Sequence, residues 1–571
     1  MYAVFYFCYG LILEKKVGGV STAGRTPAQR LYDGFDYVPT RKQVLFGHHF
    51  ASIVGIAPIV GPALALCWGW IPALAWVWLG NACIGAVHDY LALMVSLRYD
   101  GKSIQYVASD ILGKRTGRCA YAAAFCLVVI LIGALSAFLG RTFHHNPAIA
   151  STFIWTTLSA VFLGVFLYRI KRMNLFLATL LGILMLLGSI WLGILFPVSA
   201  SCHTWLVVFF FYLIVVSALP VHTILQPRDY LNSFLLCAGL LVGFLAAATS
   251  FTDMTIPAFT QFSPPLVHGK PTPLWPLLPV IITSGALSGF HSLVSAGISS
   301  KQLSKESEGL LVGYGGMLVE GFLATIVVVS IGGFGHHIIK NAGDIAGAAL
   351  SLSSGEGGLS CAFTLEGMNS AGLGLFIESY TRMVASSLLG FIPSAFVKLI
   401  AGLWVASLAM TTMDTANRIG RYCIEEVTQA RRKASSRTGH ILSNRFTTSL
   451  IPATLGISFA LWGRMEILWS AFGAASLCIA VFVLFTATRY FRQRSGSPAP
   501  PLVSIPAWLM WITATAALLW CSVLTVMEAL ARMTPGGWIA PGIFILLLIM
   551  NLVVLTDYVL AGKGETAVTE Q

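Results

Sequence analysis

Charged side chains are scarce in this sequence. Only 10% of its 571 residues are Asp, Glu, Lys or Arg, whereas 56% are hydrophobic and the mean hydropathy is +0.80. A soluble globular protein carries roughly 25% charged residues, because these cover its surface in water. A chain of this length with so little charge cannot solvate its exterior, so lipid must be the solvent for most of it.

The sequence also lacks the motifs of several functional classes. Its eleven cysteines form no Cys-x-x-Cys pair and no Cys/His cluster with metal-ligand spacing, so we predict no metal and no cofactor. HExxH, GxSxG and GxxxxGK[ST] are absent, which argues against an enzyme and against ATP drive within this chain. The net charge of +12 does not indicate nucleic-acid binding, because the basic residues are distributed between hydrophobic segments.

Fourteen hydrophobic segments are long enough to cross a bilayer, which takes roughly 20 mainly apolar residues. They lie at 44–68, 69–97, 119–140, 149–168, 175–197, 204–226, 231–252, 275–299, 309–335, 390–413, 446–463, 467–488, 502–527 and 537–560. If the residues before 44 are cytoplasmic and the sides alternate, the inside segments hold 28 Lys and Arg and the outside segments hold 7. This asymmetry agrees with the positive-inside rule and places the N-terminal loop and residues 417–445 in the cytoplasm.

The first hydrophobic segment is expected to be a broken helix. Gly55, Pro58, Gly61 and Pro62 lie within eight residues near its middle. The prolines remove backbone donors and clash one turn back, while the glycines allow strained dihedral angles. Unwound backbone inside a bilayer needs shelter from protein or a cavity, so broken helices point to a transporter's binding site. A simple proline kink is the alternative.

Two further segments have features of a binding site. The sixth contains Ser217-Ala218-Leu219-Pro220, which indicates either a second break or a kink. The eighth places Ser284, Ser288 and Ser292 on one stripe of hydroxyls, which either binds solute or lets helices pack closely. Breaks in the first and sixth of ten helices fit two inverted five-helix repeats, each opening with a broken helix.

Ionisable side chains within the hydrophobic segments are candidates for proton coupling, because a buried charge in a membrane is costly and rarely lacks a purpose. Asp89 in the second segment and Glu320 in the ninth are the expected proton carriers. His291 in the eighth, together with His48 and His49 in the first, are candidate ligands for a solute or an ion. For each residue, a buried hydrogen bond between two helices is the alternative.

Asp414 and Arg418 lie four residues apart at the inner end of the tenth segment, and they are expected to form a gating or structural pair.

The hydrophobic segments and the polar stretches between them divide the chain into five parts. They are an N-terminal partial helix and cytoplasmic segment (1–43), a ten-helix transport core (44–416), a basic cytoplasmic loop (417–445), a region of about four accessory transmembrane helices (446–560) and a tail (561–571).

Six motifs, in order along the chain, resemble the carbon starvation protein A (CstA) family of transporters. They are LYDGFDYVPTRKQVLFGHHFASIVGIAPIVGPALA (31–65), GAVHDY (85–90), QPRDYL (226–231), SGALSGFHSLVSAGISSKQ (284–302), VGYGGMLVEGF (312–322) and LAMTTMDTANRIGRY (408–422). One departure is in LWSAFGAASLCIA (468–480), where Ser476-Leu477 replaces an Asn-Gln pair usual in that family. A change in solute or coupling is expected there if the polar pair contacts the site.

The resemblance implies a bacterial inner-membrane carrier with a leucine-transporter-like core, associated with uptake of peptides and pyruvate in nutrient limitation, with proton coupling proposed for the pyruvate carriers. It places several of the residues above on family-pattern positions. These are His48, His49, Pro58, Gly61, Pro62, Asp89, Ser288, His291, Glu320 and Asp414.

The sequence therefore predicts an all-α membrane protein that imports small nutrients, peptides or pyruvate-like acids, by secondary active transport coupled to H⁺ or Na⁺. The solute is expected near Gly55–Pro62, where the ends of half-helices meet a carboxylate. A channel is one alternative, although no segment resembles a selectivity filter. An intramembrane enzyme is the other. The expected partners are the lipid bilayer, the solute and the coupling ion, and not nucleic acid.

Overall fold

The computed structural model describes residues 1–18, 24–169, 175–250, 252–267, 270–283, 285–341, 352–355, 358–361, 365–429, 444–462, 465–532 and 535–569. Ser284 lies outside these residues, as do positions 430–443 of the predicted basic loop. Most of the described chain is helical, and its strands form two short antiparallel hairpins.

The helices and strands follow in chain order. The helices are α1 (residues 2–18), α2 (Pro27–Arg30), α3 (Lys42–Val54), α4 (Ala57–Ala65), α5 (Trp70–Arg98), α6 (Ile104–Ile111), α7 (Lys114–His145), α8 (Pro147–Arg169), α9 (Leu175–Leu195), α10 (Cys202–Ala218), α11 (Leu225–Thr249), α12 (Leu274–Ile281), α13 (Gly289–Gly297), α14 (residues 310–341), α15 (Leu365–Ala385), α16 (Ser394–Gln429), α17 (Arg445–Trp462), α18 (Met465–Ser495), α19 (Pro501–Arg532) and α20 (Ile539–Thr569). The hairpins pair β1 (Pro265–Val267) with β2 (Lys270–Pro271), and β3 (Leu352–Gly355) with β4 (Gly358–Cys361).

Ten of the described helices are long and apolar enough to cross a membrane, and the bent pair α3–α4 forms an eleventh span. The ten are α5, α7, α8, α9, α11, α14, α16, α18, α19 and α20. In hydrocarbon, a helix satisfies its backbone donors and acceptors internally, which explains why apolar segments of this length become helices. The prediction of an all-α, multi-pass membrane protein is confirmed.

The first predicted break is present. α3 ends at Val54 and α4 begins at Ala57, with a bend of 48° between them. Gly55 has φ +50° and ψ −152°, a backbone conformation that side chains with a Cβ rarely adopt. Pro58 lies in the first turn of α4, where a missing N–H costs nothing. The unwound stretch is therefore short, and Gly61 and Pro62 lie within α4.

The second discontinuous helix is the eighth predicted segment and not the sixth. α12 ends at Ile281, α13 begins at Gly289, and the connection contains Gly285 with φ +92°. This stretch contains no proline, so the sequence gives only a weak signal for unwinding. The sixth segment therefore has no discontinuous helix that would mark the start of a second five-helix repeat. The inverted repeat stays a prediction.

Ser217 and Pro220 lie at the end of a helix. α10 ends at Ala218, and a non-helical link connects it to α11. The Arg418 guanidinium on α16 donates to the carbonyl oxygens of Val216, at 2.8 Å, and Leu219, at 2.7 Å. Because these end carbonyls have a side-chain partner, the chain can stop being helical before Pro220. The chain thus leaves the helix within the predicted sixth segment, and a role of Ser217 and Pro220 in solute binding stays a prediction.

Three helices differ from the sequence-based division of the chain. α16 continues through Gln429, so positions 417–429 are helical and not part of a loop. α15 occupies part of the stretch between the ninth and tenth predicted segments. α18, predicted within the accessory C-terminal region, is buried at every residue from Ala471 to Arg489, whereas α19 and α20 are only about one-third buried over their most apolar windows. α18 therefore belongs with the helices that form the centre.

Candidate functional site

A small cavity of about 10 Å³, with room for roughly one water molecule, lies beside the breaks of both discontinuous helices. Its side-chain wall is apolar except for the hydroxyls of Ser288 and Thr412. The lining residues are Ile53, Val54, Gly55, Ile56, Ala57, Leu131, Leu135, Ser288, Phe290, Thr412 and Phe472. They come from α3, α4, α7, α13, α16 and α18. We call this cavity the central pocket, and it lies where the sequence predicts the solute.

Side chains from neighbouring helices satisfy the backbone of the second break. The Glu320 carboxylate on α14 accepts a hydrogen bond from the Gly285 N–H, with Oε1 and N 2.8 Å apart. The Asn81 side chain on α5 donates to the carbonyl oxygens of Gly285, at 2.9 Å, and Met317, at 2.8 Å. Buried backbone groups without partners are costly, so these contacts are what allow the chain to unwind here.

Two glycines bring other helices directly against the second discontinuous helix. A Cβ on Gly61 of α4 would lie 2.5 Å from the carbonyl oxygen of Ile281. A Cβ on Gly85 of α5 would lie 1.9 Å from the carbonyl oxygen of Ala286. Both distances are too short for a carbon–oxygen contact, so only glycine fits at either position. The two discontinuous helices therefore touch through their backbones.

Next to the second break, four fully buried side chains form what we call the acid–histidine cluster: His88, Asp89, His291 and Glu320. The Asp89 oxygens lie 2.8 Å from Nδ1 of His88 and 3.1 Å from Nδ1 of His291. Nε2 of His291 lies 3.4 Å from Oε2 of Glu320. His291 on α13 thus bridges a carboxylate on α5 and a carboxylate on α14.

This geometry favours an additional proton. Nδ1 of His291 bonds to Asp89 and Nε2 lies 3.4 Å from a Glu320 oxygen, whereas neutral imidazole has one donor and one acceptor nitrogen. An imidazolium at His291, or a proton on Asp89 or Glu320, would suit both contacts. Without such a proton, a ring lone pair would face a carboxylate. Among the residues that the structure describes, no group of acids, His and Cys is arranged to hold a metal ion.

A second buried set of ionisable groups, the Arg228 network, joins α3, α10, α11 and α16. Nδ1 of His48 lies 2.6 Å from Oδ2 of Asp229, and Arg228 forms ion pairs with Asp229, at 3.4 Å, and with Asp414. The Tyr212 hydroxyl donates to Asp414 at 2.9 Å. The network contains two carboxylates and one guanidinium. A second small cavity, of about 20 Å³, borders it at Arg228.

A third set, the Asp36 cluster, ties the segment before α3 to α16. Asp36 accepts from Arg418 and Arg421, each at 3.1 Å, and from the Tyr422 hydroxyl at 2.7 Å. The Lys301 ammonium lies 3.8 Å from the centre of the Tyr422 ring. Burial opposes ionisation of Asp36, but Arg421, Arg418 and Lys301 together hold its pKa below the ordinary value for an aspartate.

The predicted site residues separate into three groups. Gly55 and Ser288 line the central pocket, while Asp89, His291 and Glu320 meet in the acid–histidine cluster. The others lie elsewhere, and they are Pro58, Gly61 and Pro62 within α4, Ser217 and Pro220 at the end of α10, and Ser292, whose hydroxyl donates to the carbonyl of Gly289.

The two predicted histidines on α3 also lie outside the pocket lining. His48 joins the Arg228 network, and Nδ1 of His49 lies 2.8 Å from the Ser299 hydroxyl. The expected pairing of Asp414 with Arg418 is wrong, because Asp414 pairs with Arg228 and Arg418 pairs with Asp36. Both partners lie far away in sequence, where a rule for residues one helical turn apart cannot find them.

Sequence reasoning missed several residues at these sites. Asn81, which supports the second break, is the one amide in an apolar stretch and could have been noticed on that basis. Arg228 and Asp229 fall between the sixth and seventh predicted segments, although the structure buries both. Leu131 and Phe472 of the pocket lining carry no signal, because an apolar side chain in an apolar helix is unremarkable in sequence.

Comparisons with known proteins give consistent matches. Residues 1–517 match the family described as "Carbon starvation protein CstA". "Peptide transporter CstA" of Escherichia coli is 30% identical over 559 residues, covering 90% of this chain and 79% of that protein. "Peptide transporter CstA" of Bacillus subtilis is 32% identical, covering 84% and 81%. "Pyruvate/proton symporter BtsT" of Escherichia coli is 34% identical over 345 residues, covering 58% and 47%.

Among solved structures, a Na⁺-coupled sialic acid symporter in a substrate-bound, outward-open state aligns over 98% of this chain and 97% of its own. The sequence identity is 13% and the TM-score is 0.42. A TM-score this low does not establish a shared fold.

Proposed function

Because the chain belongs to the carbon starvation protein CstA family, we propose that it is a secondary active transporter that imports small nutrients across the bacterial cytoplasmic membrane. The solute binds in the central pocket, which opens alternately to the two sides. A proton carried by the acid–histidine cluster drives uptake. The coupling ion and the solute are the parts of this proposal that most need testing.

One observation carries the proposal, namely the hydrogen bond between Glu320 and the Gly285 N–H. It links a carboxylate that lies 3.4 Å from Nε2 of His291 to the unwound connection between α12 and α13. The same connection leads to Ser288 in the wall of the pocket. A change in the charge of Glu320 therefore acts on the backbone that forms the solute site, as coupling between ion and solute requires.

The chemistry of coupling follows from the acceptors available. An ionised Glu320 is a strong acceptor for the Gly285 N–H, since hydrogen bonds to charged groups are the stronger ones. Protonation of Glu320 weakens that bond, and it removes the charge that attracts an imidazolium at His291. Both changes loosen α13 from α14. The proton thereby favours one position of the second discontinuous helix over another. The affinity for the solute that binds there changes as a result.

The pocket favours a small solute with an anionic end. Its side chains carry no formal charge, but α4 and α13 both begin at its wall, and the N-terminus of a helix carries a partial positive charge. A carboxylate with a short apolar remainder suits the chemistry of this lining, and the pocket must widen from its volume of about 10 Å³ to admit it. Similar proteins are named for peptides and for pyruvate with protons, so pyruvate and a dipeptide are the two solutes to test, and H⁺ is to be tested against Na⁺.

The test uses the purified full-length protein in proteoliposomes. Uptake of labelled pyruvate and of labelled dialanine is measured with an inward H⁺ gradient, with an inward Na⁺ gradient and with neither. We expect the H⁺ gradient alone to accelerate uptake of one solute. Equal rates under all three conditions would contradict proton coupling, and uptake of neither solute would contradict the proposed solute class.

Glu320→Gln tests the assigned proton carrier. The amide keeps the size and an acceptor for Gly285 but cannot exchange a proton, so we expect solute exchange to persist while the H⁺ gradient no longer accelerates uptake. Glu378→Gln is the matched control, because Glu378 lies at the surface of α15 with Arg382 and Lys398. If Glu320→Gln retains full gradient-driven uptake, another group carries the proton.

A further inference from the structure

The start of α13 is capped from another helix. Ser288 occupies the position before the first residue of α13, where serine normally accepts a hydrogen bond from a backbone N–H of its own helix. Its side chain makes no such bond. Instead, Oγ of Ser476 on α18 accepts from the Gly289 N–H, with a distance of 3.0 Å. Ser476 thus caps the N-terminus of α13 in place of Ser288.

The two serines also contact each other, and the direction of that contact can be worked out. Their hydroxyl oxygens are 3.1 Å apart. Either hydroxyl could be the donor in this contact. A hydroxyl has one proton and two lone pairs, and hydrogen bonds that run head to tail strengthen one another. Because the Ser476 oxygen already accepts from the Gly289 N–H, we assign Ser476 as the donor to Ser288.

This arrangement leaves the Ser288 proton uncommitted. Ser288 is almost fully buried, lines the central pocket and, with Ser476 as donor, has its own O–H available to an acceptor in the pocket. The adjacent N-terminus of α13 adds a partial positive charge. A carboxylate or carbonyl oxygen of the solute is the acceptor that suits this donor.

The packing of α18 explains why Ser476 is placed so reliably. A Cβ on Gly289 would lie 2.1 Å from the carbonyl oxygen of Ser476, so the two backbones are in direct contact. Ser476 is fully buried, in the stretch Ala471–Arg489 of α18 where every residue is buried. Its backbone cannot move away from Gly289 without displacing α18.

We propose that Ser476 is a positioning residue of the solute site, which caps α13 in place of Ser288 and so turns the Ser288 hydroxyl toward an acceptor oxygen of the solute. The proposal rests on the proposed transport function for its role in solute binding. The capping itself does not depend on that function. The tests below separate the two.

The first test measures backbone hydrogen exchange by mass spectrometry in the purified full-length protein without solute. Ser476→Ala removes the acceptor of the Gly289 N–H, so we expect faster exchange in peptides that contain Gly289. Ser288→Ala leaves that acceptor in place and is expected to exchange like the unmodified protein. Exchange that is unchanged in Ser476→Ala, or equally fast in both variants, overturns the capping assignment.

The second test is a double-mutant cycle on solute affinity, with pyruvate and dialanine as the probes. Ser288→Ala and Ser476→Ala are each expected to weaken binding roughly tenfold, the effect of losing one hydrogen bond to a charged group. In the Ser288→Ala background, Ser476→Ala is expected to have less than roughly a twofold further effect, because its action passes through Ser288. A tenfold loss in both backgrounds would contradict positioning through Ser288.

Thr486→Val is the matched control. Thr486 is a buried residue of the same helix, but its hydroxyl bonds to the Phe482 carbonyl of its own helix at 2.6 Å. We expect this variant to keep both the exchange rate at Gly289 and the affinity for the probe. If the unmodified protein binds neither probe, the transport proposal fails in its solute class, while the exchange experiment still decides whether Ser476 caps α13.

Discussion

The Arg228 network predicts that two variants which break the same ion pair will have unequal effects. With a neutral His48, the network holds two carboxylates and one guanidinium, so its formal charge is −1. Arg228→Met leaves two buried carboxylates with no compensating guanidinium. Asp414→Asn leaves one carboxylate and one guanidinium, which balance. The first variant therefore increases the unbalanced charge, while the second removes it.

The magnitudes follow from the cost of unpaired buried charge. Two unit charges 4 Å apart interact by about 4 kcal/mol at an effective dielectric constant of 20. Removing one partner of a buried pair typically costs about 3–5 kcal/mol, which we expect for Arg228→Met. Asp414→Asn loses hydrogen bonds to charged groups but leaves no excess charge, so we expect about 1–3 kcal/mol. The free energy of unfolding in mixed detergent–SDS micelles measures both values.

The double variant provides the decisive comparison. In the Arg228→Met background, Asp414→Asn removes one of two uncompensated carboxylates, so we expect it to be neutral or stabilising. Asp110→Asn on α6 is the control, because its carboxylate is exposed, and we expect a change of about 0.5 kcal/mol or less. If Asp414→Asn destabilises equally in both backgrounds, charge balance is not what holds this network together.

Two further variants test other parts of the structure. Gly61→Ala places a Cβ 2.5 Å from the Ile281 carbonyl oxygen, so we expect a loss of about 1–3 kcal/mol in unfolding free energy and slower uptake, whereas Gly188→Ala, with no atom within 4 Å of the added carbon, is the control. Asp36→Asn removes a carboxylate whose pKa is held below its ordinary value. The stabilisation from a depressed pKa is present above the unfolded value near 4 and is lost only as pH falls through the folded value. We therefore expect this variant to lower the melting temperature by the same amount at pH 5.5 and pH 8, and a loss confined to one of these pH values would refute the assignment.

The first break was predictable because its causes are local. Gly55 and Pro58 act on their own backbone, one by allowing a positive φ and the other by starting a new helix. Nothing distant is needed to explain why the helix stops there. Hydropathy predicted the membrane-spanning architecture for a similar reason, since each apolar segment satisfies its own backbone.

The second break was not predictable, because its causes are remote in sequence. Gly285 is held by Asn81 and Glu320, and Gly289 is capped by Ser476. These partners come from three other helices, and the sequence does not reveal which helices are neighbours. Pro220 is the opposite case, because a strong local signal marks a helix end whose carbonyl groups Arg418 satisfies from far along the chain.

The ionisable residues illustrate an intermediate case. Asp89, His291 and Glu320 could be found individually, because a charged or titratable side chain is rare in a membrane helix without a function. Their meeting in one cluster could not be found, since it depends on the packing of α5, α13 and α14. For Asp414 the sequence suggests Arg418, four residues away, as the partner. In the structure, Asp414 pairs with the buried guanidinium of Arg228.

The adjacent histidines of α3 give this helix a particular role. Neighbouring residues on a helix point about 100° apart, so His48 and His49 face different surroundings. His48 bonds to Asp229 of the Arg228 network, while His49 bonds to Ser299, just after the α13 that carries His291. α3 thus lies between two sets of buried charge and is joined to α4 only through Gly55 and Ile56. Any tilt of α3 at this hinge must strain or break a bond on one of its sides. The energy of those bonds therefore opposes opening at α3, and a change of protonation near either histidine alters that opposition.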